Sequence, residues 1–148
     1  MIRQFYCAEP LQYIGQEAVK RDVENLQAAL AATQAQPSEA FMASVTPGVI
    51  EHWLKNEHYR DDETYLVAIA DVMREEYLAI VEGGFTLQID DPDVADGWQM
   101  YPEMTVGQYR DYAELRVAAL NHALRGIPRD KVRIHVCWGS FQIGRAHV

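Results

Sequence analysis

The chain has 148 residues, 49% hydrophobic and 24% charged, which suits one globular domain with its own core. A formal net charge of -9 argues against nucleic acid and anionic membrane surfaces as partners, because both need clustered Lys and Arg. No apolar run reaches the ~20 residues of a membrane-spanning helix, and the opening MIRQFYCAEP lacks the apolar stretch of a secretory signal.

Taken in chain order, apolar strand patterns alternate with helical ones. QFYCAEPLQYI reads as a short strand that breaks at Pro10. Residues 16 to 34 repeat at helical spacing, with Val19, Val23, Leu26 and Leu30 on one face. AFMASV, residues 40 to 45, is a second strand, and Pro47 then suits the first turn of a short helix. Residues 62 to 82 form a longer helix striped by Leu66, Ile69, Met73, Tyr77 and Ile80, ended by Gly83 and Gly84. FTLQID, residues 85 to 90, is a third strand, and a loop rich in Asp, Gly and Pro is expected from there to Met104. Thr105 and Gln108 have capping-box spacing and open a helix carrying Tyr109, Tyr112, Leu115, Leu120 and Leu124. Gly126 and Pro128 stop it, and KVRIHVC, residues 131 to 137, is a fourth strand. Strand and helix in alternation predict an α/β fold of about four parallel strands, either a small open sheet or part of a (β/α)8 barrel.

Three stretches carry candidate chemistry. On a strand, residues two apart face the same way, so His135 and Cys137 project together at a C-terminal strand end. Parallel α/β folds place their sites at such ends. Imidazole nitrogen and thiolate sulfur suit zinc, although two donors are half of its usual four. A buried cysteine beside a hydrogen-bonded histidine is the plain alternative. The strand LQIDDPDVAD delivers Asp90 and Asp91 at its end, where an acid binds a cationic amine or moves a proton. Asp91 and Asp93 read better as caps of the turn at Pro92. In ASVTPGVIEHW, a helix begins directly after a strand and offers an N-terminus to an anion, and Trp53 offers either a stacking platform or core bulk. His52, His58 and His122 have no ligand partner nearby in sequence, and Cys7 reads as a small strand residue.

LQIDDPD, followed about 45 residues later by IHVCWG, resembles the catalytic barrel of cobalamin-independent methionine synthases. ALNHALRGIP ahead of HVCWG resembles the shorter methionine-synthase-like proteins that lack the N-terminal half. The resemblance runs from about residue 5 to residue 141. It implies a partial (β/α)8 TIM barrel that binds zinc. It also implies a cytoplasmic methyltransferase of methionine biosynthesis, which holds homocysteine as a thiolate and methylates it from a folate or similar donor. By that resemblance His135 and Cys137 are zinc ligands and Asp90 holds the amino group of homocysteine. Asp96 falls where the synthases have a folate-contacting Glu, and Trp53 near their folate-contacting Trp. Related barrels act on other thiols such as coenzyme M, and a metal-free relative, the uroporphyrinogen decarboxylase barrel, lacks the His-x-Cys pair. A non-catalytic α/β fragment is the remaining alternative.

The sequence departs from the family pattern after HVCWG. The remaining zinc ligands of the family, a Glu and a second Cys on later strands, have no counterpart here. Ile143 to Val148, IGRAHV, matches a translation of a common sequencing adapter and is set apart from residues 1 to 142. The expectation is a central fragment of the barrel, inactive alone and prone to self-association through uncovered sheet edges.

Overall fold

The computed structural model describes residues 4–33 and 37–137. In chain order the elements are β1 (Phe5–Cys7), α1 (Gln16–Ala32), β2 (Phe41–Val45), α2 (Pro47–Trp53), β3 (Leu54–Asn56), α3 (Asp62–Glu82), β4 (Thr86–Asp91), α4 (Asp93–Met100), α5 (Val106–Ala123), a single 3-10 turn (Arg129–Lys131) and β5 (Val132–Val136). Every strand pair among the described residues is parallel.

The strands form two sheets: β2-β4-β5, and a separate pair of β1 with β3. The expected α/β class with parallel strands and intervening helices is present. The strand count is corrected from about four to five among the described residues. The strand expected across QFYCAEPLQYI is formed only at Phe5–Cys7 and pairs with a strand absent from the sequence reading, β3. That strand follows α2 without a loop, and Tyr65 fixes the junction by donating its hydroxyl to the Leu54 carbonyl at 2.6 Å.

Most of the core lies between β4 and α3. Leu87 and Ile89 alternate on one face of β4 and are fully buried, each worth about 1.5–3 kcal/mol by transfer from water. The stripe expected on the long helix is buried throughout: Leu66, Ile69, Met73, Tyr77 and Ile80. Asp61 starts that helix by accepting the Thr64 N–H at 2.8 Å, and Gly83 and Gly84 follow its end, Gly84 at φ +90°. On α1, Val19 and Val23 are buried while Leu26 and Leu30 pack at the margin. The capping box at Thr105 and Gln108 forms as the spacing predicts.

The expected loop from 91 to 104 is corrected. Residues Asp93–Met100 are the helix α4. Asp91 nucleates it by accepting the N–H groups of Asp93 at 3.1 Å and Val94 at 2.9 Å. Packing against α5 then overrides weak helix propensity. Tyr109 donates its hydroxyl to the Val94 carbonyl at 3.0 Å, and a Cβ on Gly97 would lie 2.8 Å from that hydroxyl oxygen.

Two measurements check this core. Tyr77 donates to the Val45 carbonyl at 2.6 Å from a fully buried ring. Tyr77→Phe is expected to cost about 1–3 kcal/mol, read as a lower urea midpoint with an unchanged slope. Asp71 on α3 accepts from His122 at 2.8 Å and Arg125 at 2.9 Å, clamping α3 to the end of α5. Burial pushes the Asp71 pKa upward, but those two donors outweigh it and hold it below the ordinary 3.8. A carboxyl depressed in the folded state stabilises above its unfolded pKa and loses that contribution as pH falls through the folded value. The stability gap between wild type and Asp71→Asn is therefore expected to be at most about 1 kcal/mol near neutrality, because the pair is exposed, and to close below pH ~4.

Candidate functional site

Two of the candidate residues, Asp90 and His135, meet where β4 and β5 end. Their register sets Asp90 directly opposite His135 and Gln88 directly opposite Arg133. Alternation sends Leu87, Ile89 and Ile134 to the helix side and Gln88, Asp90, Arg133 and His135 to the other face. His135 Nδ1 lies 3.4 Å from Asp90 Oδ1, and both side chains are partly exposed. Cys137 follows two residues after His135, just past β5, and is half-buried. Both cysteines are free thiols.

Asp90 is held from two further directions. Gln88 Nε2 donates to its Oδ1 at 2.9 Å, and its backbone carbonyl accepts the Thr46 N–H at 3.3 Å. The second contact ties the strand end to the turn that opens α2. The Thr46 hydroxyl caps that helix by accepting the Val49 N–H at 3.3 Å. The first turn of α2 is not open to an anion. Pro47 and Gly48 are buried, and Arg116 of α5 lies across Gly48, where a Cβ would stand 3.2 Å from its Cγ.

Arg116 was not singled out by the sequence, yet it organises this end of the fold. It is buried, pairs with Glu51 at 2.6 Å, donates to the Tyr112 carbonyl at 3.0 Å and stacks 3.3 Å over the Tyr112 ring. Burial raises the Tyr112 hydroxyl pKa despite the nearby guanidinium. His52, read as lacking a partner, is buried with Nδ1 3.7 Å from Asp93 Oδ2. His122, read the same way, meets Asp71 across the helix pair. His58 is exposed against Tyr59.

The remaining candidates are spread more widely. Trp53 ends α2, 56% exposed, with its ring 5.1 Å from that of His52. Among the described residues it joins neither Asp90 nor His135 in a hydrogen bond or ring contact. Asp96 is on α4, and its side chain lies outside the described residues, as does the whole of Ile143 to Val148. Asp91 turns inward as the α4 cap, the structural role its sequence context suggested. Cys7 is buried with its thiol 3.3 Å from the Glu9 carbonyl.

Zinc is tested here by its donor set. His135 and Cys137 are donors of the right type, two residues apart at the end of β5. Among the described residues, however, no group of three or more His, Cys, Asp or Glu is placed to hold a metal ion. The described residues thus supply at most half a tetrahedral site. A groove of about 580 Å³ lies on the opposite, helix side of the sheet, lined by Ile89, Val117, Leu120, Leu124, Ile127 and Ile134. Its lining is mainly apolar, and it holds neither Asp90 nor His135. No helix among the described residues is long and apolar enough to cross a membrane.

No family model matches the chain. The chain is similar to the methionine synthase of Pyrococcus abyssi, 30% identical over 98 residues, which is 66% of this chain and 25% of that protein. The methionine synthases of Pyrococcus horikoshii and Pyrococcus furiosus are each 29% identical over 99 residues, again 66% of this chain. The chain spans about a quarter of the length of these relatives. Three methionine synthases matched over the same share of the chain support its assignment to a methionine-synthase-like family, at partial coverage.

Proposed function

We propose that this chain carries part of the active site of a zinc-dependent methyltransferase that methylates the thiol of homocysteine. The single observation that carries the reading is the pairing of Asp90 with His135 across β4 and β5, with Cys137 two residues further along the chain, just past the end of β5. A carboxylate thereby lies beside an imidazole nitrogen at the C-terminal ends of parallel strands, and a cysteine follows two residues later. We read the fold as part of a (β/α)8 barrel, whose remaining strands and zinc donors lie outside the described residues.

His135 and Cys137 would hold the zinc, which when bound would keep a substrate thiol as the nucleophilic thiolate at neutral pH. Asp90 receives the substrate's ammonium group. Its Oδ1 is engaged by Gln88, and its Oδ2 makes no hydrogen bond among the described residues. Such a carboxylate favours an amino-acid thiol over coenzyme M, which has no ammonium group. In the transfer the sulfur attacks the methyl carbon, the S–C bond forms, and the donor's N–C bond breaks with its electron pair returning to nitrogen, which takes up a proton. Trp53 and Asp96 lie on the helices that follow β2 and β4, and are the residues proposed to contact a folate-like donor. Because the described residues supply at most half of a tetrahedral donor set, we expect no methyl transfer from the 148-residue chain alone.

Titration of the chain with Co²⁺ tests the metal reading. A thiolate-to-cobalt charge-transfer band is expected in wild type and in Cys7→Ala and absent in Cys137→Ser. Wild type without the band overturns the assignment of Cys137. In a longer polypeptide rebuilt from the flanking DNA, one zinc per chain and methyl transfer to homocysteine are expected. There Asp90→Asn should raise the homocysteine KM by about 10- to 100-fold, the loss of a charge-assisted contact worth roughly 1.5–3 kcal/mol. Equal or better use of coenzyme M removes the homocysteine reading.

A further inference from the structure

A line of polar contacts crosses the face of the sheet opposite the core. Glu39, just before β2, has its Oε2 3.4 Å from an Arg133 terminal nitrogen. The Arg133 guanidinium sits 3.8 Å over the ring of Phe41 and donates from Nε to Gln88 Oε1 at 2.9 Å. Gln88 in turn donates from Nε2 to Asp90 Oδ1 at 2.9 Å, and His135 Nδ1 approaches the same oxygen at 3.4 Å. The line touches all three strands of the sheet, beginning at the residues that lead into and open β2 and ending where β4 and β5 finish.

We propose that Arg133 and Gln88 are positioning residues for Asp90, orienting its carboxylate so that Oδ1 is held within the sheet face and Oδ2 is presented to a ligand cation. The argument rests on the direction of donation. A glutamine amide has one acceptor end and one donor end, and either can face a neighbour. Arginine only donates, so the end of Gln88 that meets Arg133 must be the carbonyl. That leaves the NH₂ group facing Asp90, which as a carboxylate only accepts. Arg133 is itself fixed from β2, by the face of Phe41 and the charge of Glu39. A lysine keeps the charge but lacks the planar fork that meets ring, amide and carboxylate together. The register makes the arrangement possible, because Gln88↔Arg133 and Asp90↔His135 are successive same-face pairs.

The substrate side of this inference, an ammonium group at Oδ2, rests on the function proposed above; the relay itself does not. Both are read by NMR of the 148-residue chain labelled at glutamine side-chain amides and aspartate carboxyl carbons. In wild type the two Nε2 protons of Gln88 should be well separated and slow to exchange with water. Arg133→Met should return them to free-amide positions and move the Asp90 Cγ resonance, and Phe41→Leu should do so partially. Gln88→Glu keeps a partner for Arg133 but removes the donor to Asp90, so Asp90 Cγ should move while backbone amides of β4 and β5 hold. Free-amide positions for Gln88 in wild type, or an Asp90 Cγ indifferent to both Arg133→Met and Gln88→Glu, overturn the relay. Addition of L-homocysteine separates the two layers. A shift at Asp90 Cγ in wild type that is lost in Gln88→Glu supports both. An intact Gln88 signature with no response to homocysteine retains the relay and removes the amino-acid thiol reading.

Discussion

The parallel pairing of β4 with β2 on one side and β5 on the other is the constraint from which the rest of this structure follows. A strand paired on both edges has no freedom to slip, because a shift of one residue would exchange its two faces. Burial of Leu87 and Ile89 under the helices therefore commits Gln88 and Asp90 to the opposite face. The same register then brings Arg133 and His135 up beside them from β5. A polar site forms here as the reverse side of a hydrophobic core, and the energy that fixes it comes mostly from apolar side chains that never touch it.

A second set of contacts holds the C-terminal ends of the strands. Thr46 connects the end of β2 to the end of β4 through the Asp90 carbonyl, and Arg116 seals α2 against α5 across Gly48. Arg116 is costly to bury, and its geometry offsets that cost: Glu51 supplies charge, the Tyr112 carbonyl accepts an N–H and the Tyr112 ring covers the guanidinium face. Gly97 plays the part on α4 that Gly48 plays on α2, leaving room for a side chain of α5. The three helices that surround the site end thus pack through small residues against large ones, which accounts for glycines in segments whose propensity argues against helix.

Much of this was legible because the periods are strong. The stripe from Leu66 to Ile80 and the capping box at Thr105 and Gln108 are local patterns, and the structure reproduces both. The strand-helix alternation sufficed for parallel pairing. The sequence reading failed where local preference and tertiary demand disagree. DPDVADGWQM looks like loop, yet forms α4 once Asp91 caps it and Tyr109 braces it. Leu54–Asn56 has too few residues to show a period, and is a strand only because β1 lies alongside. Gln88 and Arg133 had a readable signal, since each stands two residues before a candidate site residue on its strand.

The sequence by itself determined the residue types, their order and their parity: which side chains share a face within each strand, and which stripe each helix buries. Parity within one strand follows from covalent geometry and needs no partner. Only the tertiary structure decided which strands are neighbours and in what register, and hence that Asp90 meets His135 and Gln88 meets Arg133. Those pairings depend on burying residues far apart in the chain against one another, a condition that no local window of sequence contains.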